Sequence, residues 1–170
     1  MAQLVPTMDG ATTVWLLVSA ALVFLMIPGV GFFYGGMVRS SNVLGTLAQC
    51  FAVLGVGTVV WFACGFSLAF SSGTPLIGDL SLAGLTDLTK VVPDVPGVPM
   101  LAFMIFQMMF AVVTPALITG SIAERWRFGS FVLFAGVWSI LVYAPVAHWL
   151  FSPDGWAARA GALASAVIIT

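Results

Sequence analysis

Residues 100–123 read MLAFMIFQMMFAVVTPALITGSIA, twenty-four positions without an Asp, Glu, Lys or Arg. At about 1.5 Å per residue, roughly 20 mostly apolar residues make a helix that crosses a hydrocarbon core about 30 Å thick. A charge at mid-span costs about 2.5 kcal/mol or more, so an uncharged run of this length has the bilayer as its solvent. Residues 12–38, 42–71 and 128–151 share the property, and all eleven charges lie between or beyond the four runs. The reading is an all-α integral membrane protein with four complete transmembrane helices in a single transmembrane domain, residues 1–170.

Composition points the same way, because 61% hydrophobic and 6% charged residues leave too few polar side chains to coat a soluble domain. A net charge of -1 with five scattered cations excludes a phosphate-binding surface, and hence nucleic acid as a partner. Cys50 and Cys64 fall fourteen residues apart in the second run, about 21 Å along a helix and beyond disulfide reach. Residues 1–10 carry no Lys or Arg and include Asp9, which does not fit a cleaved signal peptide, so the first run is read as a retained span.

Arg39 sits in the first loop and Arg125 and Arg127 in the third, against Lys90 in the second loop and Arg159 after the fourth run. The positive-inside bias puts the first and third loops in the cytoplasm and the N-terminus outside. Residues 72–99, with Asp79, Asp87 and Asp94 and a Pro/Gly-rich end, form an irregular outer loop. Ser152-Pro-Asp-Gly155 is a turn, after which a helical pattern restarts over residues 157–170, too short to cross alone. Pro28, Pro115 and Pro145 inside the runs imply neighbouring helices that cover the freed backbone groups. Gly31-x-x-x-Gly35 is a close-packing pattern.

Phe106 and Phe110, four residues apart, put two rings on one helix face around Gln107. Two stacked faces suit a gate or weak cation site, and ordinary packing accounts for them as well. His148, the one histidine, cannot make a metal site alone; beside Trp149, Phe151 and Trp156 it reads as an interfacial anchor or helix-end hydrogen-bonder, with a transport role the alternative. No paired intramembrane carboxylates and no phosphate loop are present, so the chain is read as not an enzyme and as needing no cofactor.

Taken in order, Ile27-Pro-Gly-Val-Gly-Phe-Phe-Tyr-Gly-Gly-Met-Val-Arg39 with Asn42, Gly65-Phe-Ser-Leu-Ala-Phe70, Phe106-Gln-Met-Met-Phe-Ala111, Gly120-Ser-Ile-Ala-Glu-Arg-Trp-Arg-Phe128 and Tyr143-Ala-Pro-Val-Ala-His148 closely resemble the ammonium transporter (Amt/Mep/Rh) family. The resemblance covers about residues 12–163. It implies eleven spans in two inverted halves, a homotrimer in the cytoplasmic membrane with the N-terminus outside, and passage of ammonium or ammonia through a pore in each subunit. It also implies Phe110 as the outer gate ring, Phe106 one turn outward, and Phe151 or Trp149 as the outer aromatic of the vestibule.

After Gly161-Ala-Leu163 the family continues with Asp-Phe-Ala-Gly-Gly and then a pore histidine, where this chain reads Ala164-Ser-Ala-Val-Ile-Ile-Thr170. The resemblance thus implies an ammonium transporter truncated within its fifth helix, a partial domain with half of each pore wall missing and inactive by itself. A frameshift or incomplete gene would produce it. The alternative is a small non-transporting membrane protein that acts as an assembly or inhibitory partner of full-length homologues.

Overall fold

The computed structural model describes residues 9–86, 92 and 97–159. Asp87, Lys90, Asp94 and the stretch 160–170, which includes the departure after Leu163 and most of the fifth helix expected over 157–170, lie outside the described residues.

Among the described residues the four charge-free runs are helical, and the loops between them hold one isolated bridge, Gly73 to Gly78. Helix α1 (Gly10–Phe24) leads through Leu25 into α2 (Met26–Met37). Leu25 keeps helical dihedrals, so the two form one span of 28 residues, bent where Pro28 supplies no N–H. Asp9 starts it as an N-cap: its carboxylate accepts from the Ala11 and Thr12 N–H groups, each at 3.2 Å, and from the Thr12 hydroxyl. The Thr12 hydroxyl, followed by these N–H groups, holds the Asp9 carboxyl below the usual carboxylate range.

The second span comprises α3 (Val43–Val60), a π-helical turn (Trp61–Gly65) and α4 (Phe66–Phe70). Helix α5 (Met100–Ile122) is the third, uninterrupted at Pro115. The fourth runs from α6 (Phe128–Trp138) through a second π-helical turn (Ser139–Tyr143) into α7 (Ala144–Phe151), and the short α8 (Trp156–Arg159) follows a turn. By length and composition all four can cross a membrane.

Helix α5 is the centre of the bundle: half of its most apolar window is buried, against 17% in the first span. It carries Met104, Met108, Met109, Ala111, Val112 and Val113 into a core that Ile27, Trp61 and Phe66 complete. Gly31 takes the packing role its pattern implies, since a Cβ there would come within 3.2 Å of Leu47 on α3.

Candidate functional site

Side chains on α5 build the site. Phe106 and Phe110 stand edge to face, ring centroids 5.1 Å apart at 77°. Phe106 is half-buried against the Met104–Met108–Met109 cluster, while Phe110 is 37% exposed and so faces outward from the described bundle. Gln107 between them is half-buried. Towards α4 the aromatic row continues, with Phe103 5.0 Å from Phe70 at 84°.

Trp61, unremarked in the sequence, holds this row to the second span. Its Nε1–H donates to the Met104 carbonyl at 3.3 Å, and its ring lies 6.0 Å from Tyr143 on the fourth span and 5.9 Å from Phe66. An indole in a charge-free run has to find an acceptor for its N–H, and that requirement is the signal that could have singled it out.

The two alternatives for the outer aromatic are placed apart. Phe151 is half-buried against the same cluster as Phe106. Trp149 instead donates its Nε1–H to the Leu76 carbonyl at 2.7 Å and faces Trp156, centroids 6.3 Å apart. Its indole donor is thus engaged with the loop that follows the second span.

His148 is completely buried by the surrounding protein. Its Nδ1 lies 3.0 Å from the Ala69 carbonyl and its Nε2 2.9 Å from that of Thr74. Position beside aromatic-belt residues suggested a surface anchor, and the loop folding back over the ring buries it. The helix-end bonding part of the expectation does hold, because Ala69 is in the last turn of α4.

At the opposite end, Glu124 accepts from the Arg39 N–H at 3.0 Å and from Asn42 Nδ2 at 2.9 Å, while Arg39 Nε lies 3.3 Å from its second oxygen. These contacts hold Glu124 at φ 65°, left-handed backbone that a non-glycine residue rarely adopts. The Asn42 amide first, then the Arg39 N–H, keep its carboxyl below the ordinary range. Beside it an open cleft of about 190 Å³ is lined by Tyr34, Met37, Val38, Gly120, Ala123 and Glu124. Among the described residues no three His, Cys, Asp or Glu side chains gather where they could hold a metal ion.

Four long apolar spans, three of them packed about a central one that displays an aromatic row, define a multi-pass helical membrane protein. The chain belongs to the Ammonium Transporter Family, whose model matches residues 14–169. It is 45% identical over 170 residues to an ammonium transporter of Mycobacterium tuberculosis, covering 90% of this chain and 36% of that protein. To an ammonium transporter of Bacillus subtilis it is 47% identical over 163 residues, covering 92% and 39% respectively. The crystal structure of Candida albicans Mep2 superposes with a TM-score of 0.82 at 33% identity, over 94% of this chain and 35% of that one. The chain therefore spans little more than a third of the length of the relatives it matches.

Proposed function

We propose that these spans form one wall of a pathway for ammonium or ammonia, with Phe110 the gate ring, Phe106 beside it in the vestibule and Phe151 the outer aromatic. Trp149, its indole engaged by Leu76, fits that last role less well. The observation that carries the reading is the Phe106–Phe110 pair, an edge-to-face couple on the central helix whose second ring faces away from the bundle core. Aromatic faces attract a small cation while offering it no replacement for its hydration shell, which suits a filter placed before dehydration. The same reading sets the protein in the cell membrane as trimers, with the N-terminus and loop 72–99 outside. The Arg39–Glu124 ion pair gathers Arg39, Arg125 and Arg127 on one side, and the positive-inside bias is what makes that side the cytoplasmic one in this reading.

The test joins this chain to the remaining two-thirds of the Bacillus subtilis relative and measures labelled methylammonium uptake. The chimera should take it up saturably, and the 170-residue chain alone should not exceed empty-vector membranes. Within the chimera, Phe110→Ala should raise leak of other small cations and weaken cation attraction by about 1–2 kcal/mol at most, since Phe106 remains. Met109→Ala, about 100° around the helix, should leave selectivity alone. Equal effects of the two substitutions on flux and leak would remove Phe110 from the gate.

A further inference from the structure

Three consecutive carbonyls of the loop after α4 meet three donors from the end of the fourth span. The Thr74 oxygen lies 2.9 Å from His148 Nε2, the Pro75 oxygen accepts from the Trp156 N–H at 3.2 Å, and the Leu76 oxygen accepts from Trp149 Nε1–H at 2.7 Å. Irregular backbone has no ladder of its own, so each carbonyl covered by protein needs a donor supplied from elsewhere. Of these three donor residues only His148 also reaches the helix before the loop, through Nδ1 and the Ala69 oxygen. Its ring is fully buried, and three residues on, in the same short helix α7, Phe151 leans on the cluster that supports Phe106.

We propose that His148 is a positioning residue for the outer aromatic site: by tying Ala69 and Thr74 to α7 it holds the loop 71–79 and the Phe151 ring as one unit against the core cluster on which Phe106 also packs. The inference rests on reading Phe106, Phe110 and Phe151 as that site, but its test involves no transport. Because a carbonyl only accepts, engaging both Ala69 and Thr74 requires a proton on each ring nitrogen, the imidazolium form, and the tether is then the two N–H groups and not the ring volume. Phenylalanine keeps the volume without the donors. Glutamine carries an amide N–H₂ to about where Nε2 stands and restores the Thr74 contact alone.

Single cysteines at position 74 (Thr74→Cys) or 151 (Phe151→Cys) are placed in the 170-residue chain in membranes and reacted with a bulky, membrane-impermeant maleimide, which the intramembrane Cys50 and Cys64 do not meet. In His148→Phe both positions should label about tenfold faster or more, the consequence of removing a buried hydrogen bond. His148→Gln should return position 74 most of the way to the parent rate. Trp149→Phe, which removes a neighbouring donor but leaves His148 in place, should change position 151 little.

Parent-like labelling in His148→Phe would show that the ring only fills space and would overturn the proposal. So would faster labelling at 74 without any change at 151, failure of His148→Gln to rescue, or an equal effect of Trp149→Phe. Should the His148 variants not fold, the unmodified chain still decides. The Gly78 N–H, bonded to the Leu68 oxygen at 2.9 Å, should resist hydrogen exchange as the spans do, and exchange at the rate of a free loop would sink the tether.

Discussion

The two ends of this bundle are closed by different chemistry. At one, Glu124 draws the loops at Arg39 and Arg125 together with charge, in a clamp whose Arg39 side chain is 80% exposed. At the other, the loop 71–79 is held by side-chain N–H groups on backbone carbonyls, around a fully buried histidine. Exposed ion pairs are weakened by salt and water, whereas a buried donor and carbonyl have no competitor nearby. The first end is therefore tunable by the medium, whereas at the second the buried His148–Ala69 contact is shielded from it and the Leu76 contact, at a residue 61% exposed, is less so.

The sharpest way to break the comparison is at Gly155. A Cβ there would sit 2.2 Å from the His148 carbonyl oxygen and 2.6 Å from that of Trp149, so the turn after α7 closes only because glycine allows the approach. Gly155→Ala should cost about 1–3 kcal/mol, read by denaturant titration of the detergent-solubilised chain, and should not change with added salt. A salt-dependent loss would mean that the two ends are not chemically distinct.

Trp149→Phe should come next, at about 0.5–1.5 kcal/mol, because it removes one hydrogen bond from α7 to the loop while keeping most of the ring. Limited proteolysis at residues 74–78 is the sensitive readout, and unchanged cleavage would demote the Leu76 contact to incidental.

The smallest effect belongs to the charged clamp. Glu124→Gln keeps the shape and one acceptor oxygen, so at low salt it should destabilise less than either change above, and at high salt it should be nearly silent. Its pH dependence follows from the lowered carboxyl. Since the folded value lies below the ordinary 4.5, the contribution is fully present at neutral pH, begins to fade as pH falls below that value, and is gone once pH passes below the folded one. An acid titration of the parent minus that of Glu124→Gln isolates it, and a difference growing above pH 7 would contradict the assignment.

The spans were legible because the bilayer leaves so few solutions: a charge-free run of twenty or more residues has to be helical, and glycines and prolines inside it signal neighbours. The Phe106–Phe110 pairing followed from helical periodicity alone. The helix-end bonding of His148 was legible but its burial was not, because that comes from residues 69–78, some seventy positions away, and no local pattern encodes that return. The resemblance aligned Phe151 with the outer aromatic and left Trp149 as the alternative, and the contact of Trp149 with the Leu76 carbonyl was out of reach for the same reason. The contacts of Glu124 with Arg39 and Asn42 likewise join positions more than eighty residues apart.

The paired π-helical turns carry a consequence for insertions and deletions. Each accommodates one residue beyond the α-helical count, so the segment after it is turned by about 100° relative to an unbroken α-helix. In the second span that phase points Ser67 and Ser71 at the Asp79 oxygen, at 2.9 and 2.8 Å. In the fourth it sets Tyr143 within 6.0 Å of Trp61, the residue that opens the first turn. The two turns thus act like matched phase plates: removing one residue from either would spin its outer half out of register with its partner while leaving the span long enough to cross, a lesion invisible to hydropathy and felt only at the loop.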